Sequence, residues 1–267
     1  MAAPDAAIPV TLPYGTGEVD AVIFDLDDVL IPFQTPAAWQ WAWRPQGPLL
    51  GERRVRAAVR RSLRAWDRRR WAGLTGKEPP ADAEALRQHL ASTLAAIAGH
   101  ALPATETDAV VRRMLRPAGE VEHFPDVAPA LGRLASRQVR IGIVTELPRE
   151  SALWMLHRGE IAESLLLISA DPGGSILPER AAFRSAVDRL GSTPERTAFV
   201  GDLYWSDVRA AARAGLAAVL LDRHDAWSKI QHGRLATLDA LEATLARGPA
   251  PPGGADAEGE SEPAPFP

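Results

Sequence analysis

Asp25 and Asp27 are two carboxylates spaced by one residue, directly after the apolar run of residues 21–24. The run predicts a strand buried on both faces, because no polar residue alternates with its apolar residues. Acids at the end of such a strand need a compensating interaction, since unpaired buried charge costs much free energy. Metal binding or covalent chemistry at the end of the strand would explain their presence. Both side chains would point to the same face, because residues two apart in a strand share a face. The alternative is an ordinary strand cap and turn.

Two later runs that are mainly apolar also end in polar residues. Thr145 follows residues 141–144. Asp202 follows residues 197–200 and the glycine after them, and Asp207 lies five positions further. In an open parallel sheet, ligands bind beyond the carboxyl ends of the strands, so these residues would meet the first acid pair at one rim. Oxygen ligands suit Mg²⁺, which keeps some of its waters for a substrate phosphate.

The elements that must position these residues alternate between short apolar strands and helical patterns over residues 120–247. Such alternation predicts an α/β fold, a doubly wound parallel sheet with helices on both faces. Residues 18–35 would complete this core. Residues 36–119 show helical spacing and no convincing strand, so we expect an α-helical insert. We expect a loose lead-in at 1–17 and a disordered tail at 248–267.

Composition excludes several classes of site. The chain has no cysteine, so disulfides, thiolate metal sites and a cysteine nucleophile are excluded. The formal net charge of −4 gives no global attraction to nucleic acid, and we do not expect a nucleic-acid partner. No apolar run is long enough to span a bilayer, and the N-terminus lacks the regions of a signal peptide. We therefore expect a cytoplasmic protein without a membrane partner.

Taken together, the polar strand ends resemble the motifs of the haloacid dehalogenase-like (HAD) hydrolase superfamily. That family's first motif is an apolar strand followed by D-x-D, as at Asp25 and Asp27. Its second is an apolar strand ending in Ser or Thr, as at Thr145. Its fourth is an acidic pair after a strand, as at Asp202 and Asp207. The resemblance implies a Rossmann-like core, with the insert in the place of a helical cap.

The resemblance also implies Mg²⁺-dependent hydrolysis of a small phosphate monoester. Asp25 would attack phosphorus and become an aspartyl-phosphate, while Asp27 would serve as the acid and then the base. Thr145 would hold phosphoryl oxygens. Asp25, Asp202 and the carbonyl of Asp27 would bind Mg²⁺, and Asp207 would help directly or through water. Dehalogenases of the family lack the second acid, which disfavours a dehalogenase here.

Three of these residues also have an ordinary structural interpretation. Asp27 would then cap the turn that follows it, and Thr145 would be a hydroxyl at the end of a strand. Asp207 would be the N-terminal acid of the next helix, stabilised by the helix dipole.

Two positions depart from the family. Its lysine, just before a helix, is replaced by Leu177, and Glu146 stands where asparagine often follows the Ser or Thr. Loss of one preorganised charge commonly costs about two to three orders of magnitude in turnover. We therefore predict that an arginine takes the place of the family lysine and binds phosphate. Arg180 and Arg149 are the candidates, and Glu146 would lie at the same phosphate-binding site. Otherwise both arginines lie on the surface, and the chain is a pseudoenzyme that keeps the acids without turnover.

Arginine is dense in the first long helical pattern of the insert. Between residues 52 and 71 it occupies positions 53, 54, 56, 60, 61, 64, 68, 69 and 70. The run indicates either a basic face that attracts a phosphorylated substrate or a solvated amphipathic helix.

Overall fold

The computed structural model describes residues 8–12, 15–79, 81–115, 122–159, 161, 165–170, 179–230 and 234–247. The predicted disordered tail at 248–267 and the Leu177 position lie outside the described residues.

The described strands form two sheets. The strands are β1 (Ile8–Leu12), β2 (Gly15–Val19), β3 (Ala21–Asp25), β4 (Arg140–Pro148), β5 (Leu166–Ala170), β6 (Thr197–Gly201), β7 (Ala217–Leu221) and β8 (Arg234–Leu235). A six-stranded sheet has the order β5-β4-β3-β6-β7-β8, and every neighbouring pair in it is parallel. Helices cover both faces, which confirms the predicted α/β fold.

β3 is the central strand of this sheet, and its first four side chains are fully buried. It pairs with β4 on one side, where Asp25 lies opposite Val144, and with β6 on the other, where Phe24 lies opposite Val200. From β3 the chain continues to β4 and β5 on one side and then crosses to β6, β7 and β8 on the other. This reversal of strand order opens a crevice at the carboxyl ends of β3, β4 and β6.

The helices separate into those of the insert and those around the sheet. The insert has α1 (Pro36–Trp43), α2 (Glu52–Leu74), α3 (Ala83–Ala98) and α4 (Ala104–Leu115). The sheet carries α5 (Val127–Ser136), α6 (Arg149–Arg158), α7 (Glu179–Arg189), α8 (Ala210–Arg213) and α9 (Leu241–Arg247). Between residues 36 and 115 the described chain contains no strand, as the sequence predicted.

The insert is held together by helix caps and an apolar stripe. Thr35 caps α1 through Ala38 N–H, and Asp82 caps α3 through Ala85 N–H. Along α2 the side chains at positions 55, 59, 63 and 66 are buried, because they repeat at helical spacing on one face. None of the helices that the structure describes combines the length and the apolar character needed to cross a bilayer.

One local expectation was wrong, and two further local features concern the helices around the sheet. The lead-in predicted at 1–17 is not loose where it is described, because β1 and β2 form an antiparallel hairpin. The helix after β6 begins as a π-helical turn at Tyr204–Arg209 that continues into α8. Asp126 precedes α5 but does not cap it with its side chain.

The carboxylate of Asp126 is instead part of a buried ion pair. It accepts two hydrogen bonds from Arg223, at 2.8 and 3.0 Å, and one from Leu238 N–H at 2.6 Å. A charged pair across the fold satisfies the acid better than a local cap, because two of the bonds are charge-assisted.

Candidate active site

Three acids meet at the carboxyl ends of the central strands. Asp25 ends β3, Asp202 follows β6, and Asp207 lies in the π-helical turn. One oxygen of each carboxylate lies within 4.8 Å of the others. Asp202 and Asp207 are 7% and 3% exposed. The sequence brings them together because β3 and β6 are adjacent and parallel, so that both strands end at the same rim.

Gly201 permits the close approach of Asp207 to the end of β6. A Cβ at position 201 would lie 2.6 Å from Asp207 Cβ and 2.7 Å from Phe199 Cε1, distances that real Cβ atoms do not adopt. Asp207 Oδ2 accepts a hydrogen bond from Leu203 N–H at 3.1 Å, which fixes the side chain.

Asp27 lies in the loop after β3, and its Oδ1 is buried without a hydrogen-bond partner. The turn that follows is satisfied by Asp28 instead, whose carboxylate accepts hydrogen bonds from Phe33 and Gln34 N–H at 2.9–3.0 Å. Asp28 adopts a left-handed conformation with φ of 57°. An orphaned carboxylate oxygen in this position is available to a ligand, because the turn does not use it.

Thr145 is buried on β4, next to the end of β3. Its Oγ1 accepts a hydrogen bond from Leu147 N–H at 3.1 Å. The hydroxyl can still donate its own hydrogen, since accepting a bond uses only a lone pair. Both the expected strand-end hydroxyl and the expected role toward a phosphoryl oxygen are compatible with this geometry.

Arg70 reaches the acids from the helical insert. Its Nη1 lies 2.6 Å from Asp207 Oδ1, and its Nε forms an ion pair with Glu146 at the end of β4. The arginine side chain is 12% exposed. The sequence did not lead us to predict either contact of Arg70. The position of Arg70 was a signal, however, because it lies four residues after Trp66 and continues the buried stripe of α2.

Asp67 is a second contact between the insert and the acidic turn. Its two carboxylate oxygens accept hydrogen bonds from Trp205 N–H at 2.9 Å and Ser206 N–H at 2.8 Å. The side chain is fully buried, and burial raises its pKa to about 6. Asp67 therefore caps the π-helical turn from a different part of the chain, a role that the sequence analysis missed.

Arg149, one of the two arginines predicted to replace the family lysine, does not join this cluster. Arg149 is exposed at the start of α6, where its Nη1 donates a hydrogen bond to Leu167 O at 3.4 Å. The side chain of Arg180 lies outside the described residues. Glu146 does join the cluster, where burial raises its pKa to about 7 and the charge of Arg70 opposes that rise.

The electrostatics of the cluster favour a cation. Burial raises the pKa of Asp25 well above its usual range, and Asp207 and Asp27 raise it further. Burial, Asp207, Asp28 and Asp25 likewise raise the pKa of Asp202. Arg70 lowers both pKa values but does not restore them. The residues therefore fit a divalent ion such as Mg²⁺, because three carboxylate oxygens converge and the positive charge in the cluster is insufficient.

The order of the strands, the acids at their ends and the intervening helical insert agree with one family of enzymes. Residues 19–215 match the family model of the haloacid dehalogenase-like hydrolases. The chain belongs to this family. The resemblance drawn from the strand-end motifs is thereby confirmed, and the chain is a HAD-like hydrolase.

Relatives of this HAD-like hydrolase include proteins of two activities. A phosphoglycolate phosphatase of Salmonella paratyphi A is 29% identical over 221 residues, which cover 75% of this chain and 80% of that protein. The solved L-2-haloacid dehalogenase from Xanthobacter autotrophicus has a TM-score of 0.60 at 16% identity and covers 85% of this chain and 98% of its own. A predicted phosphoglycolate phosphatase from Haemophilus somnus has a TM-score of 0.54 at 18% identity, covering 84% and 96%. The two structural likenesses show the fold alone.

Proposed function

We propose that the chain is a Mg²⁺-dependent phosphatase that hydrolyses a small phosphate monoester through an aspartyl-phosphate on Asp25. The observation that carries this proposal is the convergence of Asp25, Asp202 and Asp207 within 4.8 Å at the end of the central strand. The unpartnered carboxylate oxygen of Asp27, two residues after Asp25, supports it. The curated relative named above makes 2-phosphoglycolate the first substrate to test.

The reaction would proceed in two steps at phosphorus. A carboxylate oxygen of Asp25 forms a bond to phosphorus while the bond to the leaving oxygen breaks, and Asp27 gives its proton to that oxygen. Water then attacks the phosphorus of the aspartyl-phosphate and returns a proton to Asp27. This second step releases inorganic phosphate and restores Asp25.

The remaining residues would bind and orient the substrate. Thr145 would donate its hydroxyl hydrogen to a phosphoryl oxygen, since Oγ1 already accepts from Leu147 N–H. Asp25 and Asp202 with the carbonyl of Asp27 would hold Mg²⁺, and Asp207 would assist. A bound Mg²⁺ would screen the negative charge of the phosphate from the attacking carboxylate.

The helical insert at 36–119 would act as a cap over this site. α2 supports this role, because its Asp67 and Arg70 contact the acidic turn and Asp207 directly. A cap in that position would exclude water and bring substrate-specific side chains to the phosphate.

Two alternatives predict different products. A dehalogenase would release halide from a 2-haloacid, and the presence of Asp27 disfavours it because dehalogenases of the family lack that acid. A pseudoenzyme would bind Mg²⁺ and a ligand without turnover, and the leucine at position 177 is the sequence feature in its favour.

The test is phosphate release by the purified, EDTA-treated chain, with and without Mg²⁺, from 2-phosphoglycolate and a generic aryl phosphate. Asp25→Asn should abolish activity, and the exposed Asp239→Asn is the matched control. Halide release from 2-chloropropionate would favour the dehalogenase. Mg²⁺ binding without any phosphate release would favour the pseudoenzyme and end the proposal.

A further inference from the structure

The family's lysine has no lysine substitute in this chain. The sequence contains two lysines, Lys77 and Lys229. Both side chains are exposed, the first just after α2 and the second before β8, and neither is among the main charges that shift the pKa values of Asp25 and Asp202. The positive charge for a phosphate site must therefore come from arginine or from metal alone.

Among the residues that the structure describes, Arg70 is the arginine that contacts two acids of the site. Its guanidinium lies between Glu146, two residues after the end of the β3–β4 pairing, and Asp207 of the metal cluster. It also lowers the pKa values of Asp25 and Asp27. A guanidinium is always charged and spans two acids at once, which suits a site with several carboxylates.

The two departures from the family pattern then explain each other. A leucine replaces the family lysine, and a glutamate replaces the asparagine after Thr145. Glu146 would repel a phosphate if its charge stood alone, but its carboxylate pairs with Arg70. The glutamate at the end of β4 thus holds the arginine in the site, so the pair replaces both family residues.

Arg70 belongs to the insert, so its charge enters the site only when α2 is docked. Asp67, three residues earlier, binds the backbone N–H groups of Trp205 and Ser206 at the start of the acidic turn. Arg64 on the same helix donates to Ala226 O at 3.2 Å. The Asp67 contacts fix α2 against the turn that carries Asp207, and the Arg64 contact fixes it against the loop after β7.

We infer that Arg70, held by Glu146 on the docked helical insert, supplies the positive charge that the family takes from its core lysine. Docking of the insert therefore completes the electrostatics of the site as well as covering it. This inference rests on the proposed phosphatase function, because it assigns Arg70 the positioning of the phosphate dianion beside Asp25.

The experiment compares Arg70→Ala, Arg70→Met and Arg70→Lys in the full chain at saturating Mg²⁺. Arg70→Ala should lower kcat by about 10²- to 10³-fold, whereas Arg70→Lys should recover at least tenfold of that loss. Arg70→Met keeps the length of the side chain and should fail like alanine even where folding is intact. Arg61→Ala removes an exposed arginine of the same helix, and its kcat should stay within about threefold of the wild type.

A second readout, binding of orthovanadate with Mg²⁺ by calorimetry, separates the two proposals. A kcat of Arg70→Met within threefold of the wild-type kcat would overturn the inference and leave the phosphatase proposal standing. A wild type without turnover, whose vanadate affinity still falls tenfold or more in Arg70→Met and recovers in Arg70→Lys, would support the inference and refute the phosphatase. A wild type that neither turns over nor binds vanadate would overturn both.

Discussion

The carboxylate of Asp67 accepts a hydrogen bond of 2.8 Å from the backbone N–H of Ser206, which lies 139 residues further along the chain. The acid thereby satisfies a donor at the start of a helical turn that has no partner within its own turn. Its other oxygen accepts from the preceding N–H group, that of Trp205. One fully buried side chain of the insert therefore supports the loop that carries the metal-cluster acid Asp207.

We predict that Asp67→Ala lowers the free energy of unfolding by about 1–3 kcal/mol, because one buried and one part-buried backbone donor lose their acceptor. Asp67→Asn, which keeps one acceptor oxygen, should cost less. The measurement is urea unfolding followed by circular dichroism. The matched control is Asp82→Ala at the exposed N-cap of α3, which should cost about 1 kcal/mol. Equal losses for the two alanine variants would show that the contact across the fold adds nothing to a local cap.

The rim of acids could be predicted from the sequence because its signals are local. Each apolar strand is followed at once by its polar residue, and the parallel order of the strands brings these ends together. Asp25, Thr145 and Asp202 each lie where that argument requires. The helical insert could be predicted for the same reason, since the spacing of apolar residues along a helix is also a local signal.

The arginine of the site could not be found in this way. Arg70 is one of nine arginines in a dense run, and its partner Asp207 is 137 residues away. Closeness in sequence to the family motif favoured Arg149, which lies four positions after Thr145 but is exposed. The available signal was the stripe at positions 55, 59, 63 and 66, whose next member is a charged residue on a buried face. A charge at such a position indicates a partner across the fold.

We predict that Gly201→Ala destabilises the fold by about 1–3 kcal/mol and lowers any Mg²⁺-dependent activity sharply, because the added methyl group displaces Asp207 or Phe199. Gly132→Ala is the matched control. Gly132 is an exposed position inside α5, with no atom within 4 Å of an added Cβ, and the change there should stabilise by about 0.5–1 kcal/mol. Thermal unfolding and phosphate release would be measured for both. Normal activity of the first variant would contradict the tight approach of Asp207 to the strand end.

We predict that Asp202→Asn unfolds, without Mg²⁺, at a temperature equal to or above that of the wild type. The substitution removes one acid from a buried cluster in which burial and the neighbouring acids raise the pKa of Asp202 itself. With Mg²⁺ at 100 times its Kd, the wild type should gain about 3 kcal/mol, and the variant much less. Differential scanning calorimetry with and without Mg²⁺ makes the comparison, with the exposed Asp108→Asn as control. A variant with the full Mg²⁺ gain would remove Asp202 from the metal site.

His89 links α3 to α2, because its Nε2 lies 2.7 Å from Ser62 Oγ on α2. The same hydroxyl contacts Gln34 and Thr93, and the ring of Trp66 lies 5.0 Å from the imidazole ring. Burial lowers the pKa of His89 to about 4, so the histidine is neutral in the folded chain at pH values where the unfolded chain binds a proton.

The unfolded state therefore binds more protons between about pH 4 and pH 6.5, and this residue's contribution to stability falls as pH falls through that range. Between pH 7 and pH 5 the loss should be about 2 kcal/mol for the wild type relative to His89→Gln. Urea unfolding at the two pH values measures the difference, because the acids of the site titrate equally in both proteins and cancel. The exposed His157→Gln controls for the loss of one histidine. Parallel pH profiles for the wild type and His89→Gln would show that the imidazole is not held neutral by its buried contacts between α2 and α3.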